Sequence, residues 1–252
     1  MDKNQIIAKT KTKLIFREDN RVVKEFNMLF SKSNVLNEAL NHSMVEESGL
    51  NVPKLIDVKL EGDKRSITME YVQGKTLESM MKKDAKNINQ YIDFMVDVEI
   101  EMHSKKIEGL KKLKAKYGDK ICKSPYDATT RYELFSLLEK LPTHDKLCHG
   151  DFNPSNIMVD SSGNYVILDW SHATQGNASA DAALTYLQFI LNDKRDVAET
   201  YIETFCKKSD TAVQYVKKWL PIVAAVTAIN VESEEKKAIL DGFVKEVFNV
   251  NL

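Results

Sequence analysis

Four polar residues in the middle of the chain have the types and the spacing that phosphoryl transfer from a metal–nucleotide complex requires. They are His149, Asp151, Asn156 and Asp169. The first three form an H-x-D-x4-N motif, and the last ends an apolar stretch. In such a set one carboxylate orients the attacking hydroxyl and accepts its proton, while an amide oxygen and a second carboxylate hold magnesium. The pattern therefore predicts Asp151 as the catalytic base, and Asn156 with Asp169 as the metal ligands.

The residues around this motif predict a hairpin. Stretches 156–160 and 164–169 are largely apolar, and they flank Ser161, Ser162 and Gly163, which favour a turn. Pairing of the two stretches returns Asp169 close to Asn156. The alternative, unrelated polar residues beside a surface hairpin, fits any one of the four residues better than it fits the set.

The composition is that of an ordinary globular enzyme. The 252 residues suffice for one large domain or two lobes. The net charge is −1 at pH 7, which disfavours a nucleic-acid or polybasic membrane surface. The first residues, Met1 to Gln5, lack the basic-then-apolar pattern of a secretory signal, and the longest apolar run, 219–229, is too short to cross a bilayer. The three cysteines are widely spaced and are expected to be free thiols. We therefore expect a cytoplasmic protein without nucleic-acid or membrane partners.

The hydrophobic periodicity changes once along the chain. Up to about residue 72 it favours strands, predicted at 5–9, 13–16, 21–26, 54–60 and 66–71. One helix interrupts them; it is predicted to begin at Ser33 or Asn34 as N-cap and to end before Gly49. The apolar positions predicted for this helix are Val35, Leu36, Leu40 and Val45.

From Thr76 onward the pattern is helical. The predicted helices span residues 76–83, 88–104, 107–117, 128–141, 178–191, 196–206, 212–230 and 234–248. These elements predict an α+β protein with a small sheet-rich N-terminal lobe, residues 1–73, and a larger, mainly helical C-terminal lobe, residues 74–252.

On these residues the chain resembles the aminoglycoside phosphotransferase and choline kinase-like small-molecule kinases, which share the protein-kinase fold. The resemblance spans nearly the full length and is most specific in residues 147–183. Members carry a His-Gly-Asp loop, a magnesium-binding asparagine and a metal-binding aspartate at a strand end, and residues 147–170 contain all three. No Ala-Pro-Glu activation segment follows Asp169, which argues against a protein substrate. The resemblance implies Mg²⁺-dependent transfer of the γ-phosphate of ATP (or GTP) to a hydroxyl of an aminoglycoside, a choline-like amino alcohol or a sugar.

The resemblance also implies a lysine that meets the nucleotide phosphates and a glutamate that holds it. Lys24 lies on the third predicted strand between apolar neighbours, where an ammonium is costly unless it meets an anion. A solvated strand face is the alternative. Glu38 is the expected partner because of its distance from the Val-Pro pair at 52–53, with Glu46 and Glu47 as alternatives.

The remaining nucleotide contacts are likewise implied by the resemblance. Thr10 and Thr12 join the first two strands, where a glycine-rich loop is absent, and they are expected to meet the phosphates. An ordinary hairpin turn is the alternative there. The backbone of Glu70 and Val72 is expected to pair with the adenine edge, and Met69 to close the back of the pocket.

Three further polar residues receive supporting roles. His149 is expected to brace the catalytic loop in preference to acting as a base, and Asp181 to cap a helix or brace the same loop. His172 either lies on the surface or faces the acceptor.

A nucleotide-binding pseudokinase that serves as a partner or sensor is the alternative function. Retention of Asp151, Asn156 and Asp169 favours an enzyme. The acceptor is left open, because charges beyond residue 170 are nearly balanced and the aromatic residues there fit a helical core as well as a pocket.

Overall fold

The structure, a computed structural model, describes residues 5–249. They form two compact units. The first unit comprises the chain up to Lys82 together with Pro154–Ala173, and the second comprises Lys83–Asn153 and the chain from Thr174 onward. The predicted lobes, 1–73 and 74–252, are bounded differently and stay a prediction.

The elements follow one another with strands concentrated early and helices late. The strands are β1 (Gln5–Lys9), β2 (Lys13–Glu18), β3 (Arg21–Phe26), β4 (Leu55–Glu61), β5 (Lys64–Glu70), β6 (Lys75–Thr76), β7 (Lys146–Cys148), β8 (Ile157–Val159), β9 (Tyr165–Ile167) and β10 (Thr174–Gly176). The helices are α1 (Lys32–Glu47), α2 (Leu77–Lys83), α3 (Ile88–His103), α4 (Leu113–Lys123), α5 (Ala128–Lys140), α6 (Ala178–Leu191), α7 (Arg195–Ser209), α8 (Val213–Lys217), α9 (Leu220–Ala228) and α10 (Glu234–Lys245). Short 3₁₀ turns lie at Ala85–Asn87, Pro154–Asn156, Trp170–His172 and Glu246–Asn249.

The first unit is built on an antiparallel five-stranded sheet in the order β1-β2-β3-β5-β4. All five predicted strands are confirmed. Alternation along β3 turns Val22, Lys24 and Phe26 to one face of the sheet and Val23 to the other. Helix α1 packs on the sheet, and the core between them is formed by Phe26, Val35, Ala39, Ile67 and Met69.

Two details predicted for α1 were wrong. Ser31, and not Ser33 or Asn34, is its N-cap, since the Oγ of Ser31 accepts the N–H of Asn34 at 3.1 Å. Leu36 and Leu40 are 51% and 52% exposed. They are displaced from the core because the inward face of the helix carries polar side chains, namely Glu38, Asn41 and His42.

The predicted hairpin of the first unit is confirmed. Strands β8 and β9 pair with Ile157 opposite Ile167, and β6 adds a third strand beside β8. Leu168 then donates its N–H to the carbonyl of Asn156 at 2.8 Å. The two predicted metal ligands, Asn156 and Asp169, are thereby brought next to each other.

The second unit is mainly helical, with a two-stranded sheet of β7 and β10. Helix α4 begins at Leu113 and not at residue 107, because a turn with Gly109 at φ 92° precedes it. The predicted helix 212–230 is two helices, since Pro221 lacks an N–H and fits only the first turn of a new helix, α9. Among the described helices, none combines the length and apolar character that spanning a membrane requires.

Candidate active site

The first unit contains a cavity of about 460 Å³. Apolar side chains of the sheet and of the β8–β9 hairpin form most of its wall, among them Ile15, Val22, Met158 and Leu168. A mostly apolar wall with a few polar groups is typical of small-molecule sites. The predicted residues that line it are Lys24, Met69, Glu70, Val72, Asn156 and Asp169.

Lys24 lies in the middle of an ion-pair network at this cavity. Its Nζ is 3.0 Å from Oε1 of Glu38 and 3.2 Å from Oδ1 of Asp169. Both Lys24 and Glu38 are buried. Burial alone lowers the pKa of Lys24, but the charges of Asp169 and Glu38 and their hydrogen bonds outweigh it and raise the pKa. The lysine is therefore an ammonium held in a fixed position beside the cavity.

Lys13 is a second cation on the same glutamate, a contact that sequence reasoning did not predict. Its Nζ is 2.9 Å from Oε2 of Glu38 and lies 5.4 and 5.2 Å from the ring centroids of Phe26 and Phe30. Glu38 thus uses one carboxylate oxygen for each lysine. No local sequence signal marks Lys13, because its partners are distant in the chain.

Asp169 has an uncommon backbone conformation. Its φ and ψ are 59° and 69°, in the left-handed region, which aspartate tolerates better than most residues. Such strain concentrates at functional sites. The side chain lies beside the cavity with that of Asn156. Carboxylate and amide oxygens are hard donors of the kind that Mg²⁺ prefers, so this pair fits the ion.

The segment from Glu70 to Gly74, at the end of β5, is held by backbone contacts. Glu70 donates its N–H to the carbonyl of Lys54 at 2.9 Å, and Tyr71 donates to that of Asn20 at 3.0 Å. A Cβ on Gly74 would lie 2.5 Å from the carbonyl oxygen of Val159, so only glycine fits there. These contacts position the part of the wall that carries Glu70 and Val72.

Other predicted residues lie elsewhere. Oγ1 of Thr10 accepts the N–H of Lys13 at 3.0 Å and does not line the cavity; neither does Thr12, so their phosphate contact stays a prediction. Glu46 accepts the N–H of Leu55 at 2.9 Å and holds the start of β4. His172 is exposed.

The loop that carries Asp151 belongs to the second unit and is held by one face of α6. Asp181 accepts the N–H of His149 at 2.6 Å and of Gly150 at 2.8 Å. Gly150 adopts φ 76°, a conformation that favours glycine. The expectation that Asp181 braces this loop is confirmed.

Two more residues of α6 continue this contact at helical spacing. Thr185 donates its hydroxyl to the carbonyl of Phe152 at 2.7 Å, and Nε2 of Gln188 donates to Oδ1 of Asp151 at 2.6 Å. Together with Asp181 they occupy positions i, i+4 and i+7 of α6, which form one stripe. Sequence reasoning missed Thr185 and Gln188. Their spacing from Asp181 in an otherwise apolar helix could have indicated them, because it places the three polar side chains on one face.

Buried histidines complete the bracing. His149 is fully buried, and its Nδ1 accepts the N–H of Asp151 at 3.2 Å, which confirms the structural role expected for it. Nε2 of His103 lies 3.3 Å from Oδ2 of Asp181. Burial raises the pKa of Asp181, but the hydrogen bond and charge of His103 and the N–H of Gly150 bring it below its usual value. Asp181 is therefore an anion on which the loop is built.

Comparison with known proteins identifies the family of this chain. The model of the phosphotransferase enzyme family matches residues 31–215, most of the chain. The chain belongs to this family. No curated protein matches it significantly.

Solved structures show the fold of this phosphotransferase. Choline kinase LicA from Streptococcus pneumoniae superposes with a TM-score of 0.70 at 17% identity, over 98% of this chain and 94% of that chain. A thermostable mutant of aminoglycoside phosphotransferase APH(4)-Ia gives 0.71 at 12% identity, with coverages of 98% and 94%. A choline/ethanolamine kinase family protein from Mesorhizobium loti gives 0.64 at 14% identity, with coverages of 98% and 87%. The predicted protein-kinase-like α+β fold is confirmed.

Proposed function

We propose that this phosphotransferase is a Mg²⁺-dependent kinase that moves the γ-phosphate of ATP to a hydroxyl of a small molecule. The observation that carries the proposal is the buried ammonium of Lys24, held by Glu38 and Asp169 on the wall of a cavity of nucleotide size. Two structural neighbours add support. LicA has been solved with AMP, and APH(4)-Ia with AMP-PNP and hygromycin B.

In this proposal the nucleotide occupies the cavity of the first unit. The apolar side chains of its wall, such as Ile15 and Leu168, cover the faces of the adenine ring. The carbonyl of Glu70 and the N–H of Val72 pair with its edge. Lys24 contacts the phosphates, and Glu38 keeps the lysine in place.

Asn156 and Asp169 are the residues that would hold Mg²⁺. The bound ion would neutralise charge on the phosphate oxygens. Lys24 already contacts Asp169 and orients its carboxylate in the free protein. The proposed metal ligand Asp169 is therefore in direct contact with Lys24, the lysine proposed to meet the phosphates.

Asp151 is proposed as the base. It precedes Asn156 in the same loop of the chain, and Gln188 fixes its carboxylate. The acceptor oxygen forms a bond to the γ-phosphorus, the bond from that phosphorus to the leaving ADP oxygen breaks, and the hydroxyl proton passes to Asp151. Positioning and electrostatics supply most of the rate in this chemistry.

The acceptor is proposed to be an amino alcohol, an aminoglycoside or a sugar. The decisive experiment measures ADP release from Mg²⁺-ATP by the purified protein with choline, ethanolamine, hygromycin B and a panel of sugars. We expect one acceptor class to stimulate ADP release and to yield a phosphorylated product. The variant Asp151→Asn should bind ATP as the parent does and lose turnover by about 10²-fold or more.

The pseudokinase alternative predicts a different result in the same experiment. In that case ATP binds to the parent and to Asp151→Asn alike, and neither protein releases ADP with or without an acceptor. A parent that does not bind ATP at all would overturn both functions.

A further inference from the structure

A second cavity, of about 370 Å³, lies within the second unit at the N-terminus of α6. None of the described residues that line it is acidic. The basic side chains on its wall are Lys106, Lys146, Lys208, His103 and His144. The N-terminus of α6, capped by Asn177, adds the partial positive charge of a helix end. The wall of the cavity is therefore basic in composition.

Carboxylates near this cavity lie outside its wall. Lys106 pairs with Asp145 at 3.0 Å, and Lys208 pairs with Asp93 and Asp97 at 2.8 and 2.7 Å. None of these three aspartates lines the cavity. They offset much of the charge of Lys106 and Lys208, while the wall itself carries no carboxylate.

Buried polar atoms on the same wall lack a partner. His103 is 3% exposed, and its Nε2 contacts Asp181, whereas its Nδ1 is buried without a hydrogen bond among the described residues. Oγ of Ser209, which also lines the cavity, is buried and unpartnered in the same way. A buried polar atom without a partner carries a free-energy cost. A ligand that satisfies both atoms would remove that cost.

We propose that this cavity binds a small phosphomonoester through its phosphate group. Phosphate oxygens accept hydrogen bonds from lysine, hydroxyl and helix N–H donors. A phosphate can also satisfy Nδ1 of His103, either by accepting its N–H or by donating the O–H of the monoanion. The volume corresponds to about twelve water molecules at about 30 Å³ each, so the site accommodates an organic group beside the phosphate. The site is distinct from the nucleotide cavity of the first unit.

The ligand is also linked to the catalytic loop through His103. A phosphate held at Nδ1 fixes the imidazole, whose Nε2 contacts Asp181, and Asp181 accepts the N–H groups of His149 and Gly150. Binding therefore stabilises this loop. This link rests on hydrogen bonds alone and does not depend on the proposed kinase function.

The binding test uses calorimetric titration with glycerol 3-phosphate, inorganic phosphate and glycerol. We expect glycerol 3-phosphate to bind more tightly than inorganic phosphate, and glycerol not to bind. The double variant Lys146→Gln, His144→Gln replaces two exposed side chains and should weaken binding of the phosphomonoester by about tenfold or more, because hydrogen bonds to a charged group are the stronger ones.

Two controls locate the binding. Lys140→Gln changes an exposed lysine of α5 that does not line the cavity and should leave affinity unchanged. Lys24→Ala removes the phosphate-binding lysine of the nucleotide cavity and should also leave it unchanged. Loss of binding in Lys24→Ala, absence of binding in the parent, or full affinity in the double variant would each overturn the proposal.

Hydrogen exchange tests the link to the loop. Glycerol 3-phosphate should slow amide exchange in a peptide that contains residues 147–153 of the parent. His103→Gln should bind the ligand more weakly and lose this slowing at saturation. Unchanged exchange in the parent at saturating ligand would refute the link while leaving the binding result intact.

Discussion

Nε2 of Gln188 lies 2.6 Å from Oδ1 of Asp151, while Oε1 of the same side chain is buried without a hydrogen-bond partner among the described residues. One half of this amide therefore fixes the proposed base, and the other half is left unsatisfied. A buried carbonyl oxygen without a partner is stabilised when a hydrogen-bond donor reaches it. Gln188 is accordingly a positioning residue for Asp151.

We predict that Gln188→Met lowers kcat by about ten- to a hundredfold, because the carboxylate of Asp151 is no longer held in one orientation. KM for ATP should stay the same, since the nucleotide cavity lies in the first unit. Steady-state kinetics with a saturating acceptor measure both constants. Gln214→Met, on the exposed side of α8, is the matched control. A parent-like kcat in Gln188→Met would remove Gln188 from the mechanism.

The second prediction concerns the metal ligands. ATP should raise the Tm of the parent more with Mg²⁺ than with a chelator, because a ligand at a given concentration stabilises the folded protein more when it binds more tightly. Asp169→Ala should abolish this difference, whereas Asp63→Ala, at an exposed turn of the same unit, should retain it. A Tm rise of equal size with chelator in the parent would contradict the assignment of Asn156 and Asp169.

The third prediction concerns the pair formed by Lys24 and Glu38. Lys24→Ala should weaken ATP far more than adenosine, which lacks the phosphates. Glu38→Gln should reproduce part of this loss, because it releases both Lys24 and Lys13. The double variant should lose less than the sum of the two, since the side chains act as a unit.

Affinity measured by calorimetry for ATP and for adenosine decides this prediction. Glu47→Gln, at the exposed end of α1, is the control and should bind ATP as the parent does. If Lys24→Ala bound ATP normally, another lysine would have to meet the phosphates, and Lys13 would be tested next.

The part of this site that can be predicted from sequence consists of the interactions between residues that are close together in the chain. Asn156 and Asp169 lie at the two ends of one short hairpin, so spacing alone indicates their proximity. Lys24 and Glu38 could be paired only through the resemblance to a family, because a strand and a helix bring them together.

The features that sequence reasoning missed depend on packing between distant segments. Lys13 reaches Glu38 across the sheet, and Gln188 reaches Asp151 from another helix. The exposed Leu36 and Leu40 show the same limit, because periodicity alone does not reveal that a helix directs polar residues inward to build a site. Pro221, by contrast, was a local signal for the break before α9, and it was overlooked.

The last prediction concerns Glu99, a fully buried residue of α3 whose carboxyl accepts the hydroxyl of Tyr201 at 2.8 and 3.0 Å. Burial, and then the charge of Asp181, raise the pKa of Glu99 well above its usual value, although the hydrogen bond from Tyr201 opposes them. The folded protein therefore retains a proton that the unfolded chain loses above about pH 4.5. The free energy of unfolding must fall as pH rises from that value toward the raised pKa.

Glu99→Gln keeps a polar side chain of the same shape and removes this titration. We expect the variant to equal the parent near pH 4.5 and to exceed its stability at pH 8 by about 1 kcal/mol or more, which corresponds to about 2–4 °C in Tm. Urea unfolding at several pH values measures the difference. Glu101→Gln, exposed on the same helix, should follow the parent throughout. A difference between Glu99→Gln and the parent that did not grow with pH would mean that Glu99 is ionised in the folded protein and that another cation compensates its charge.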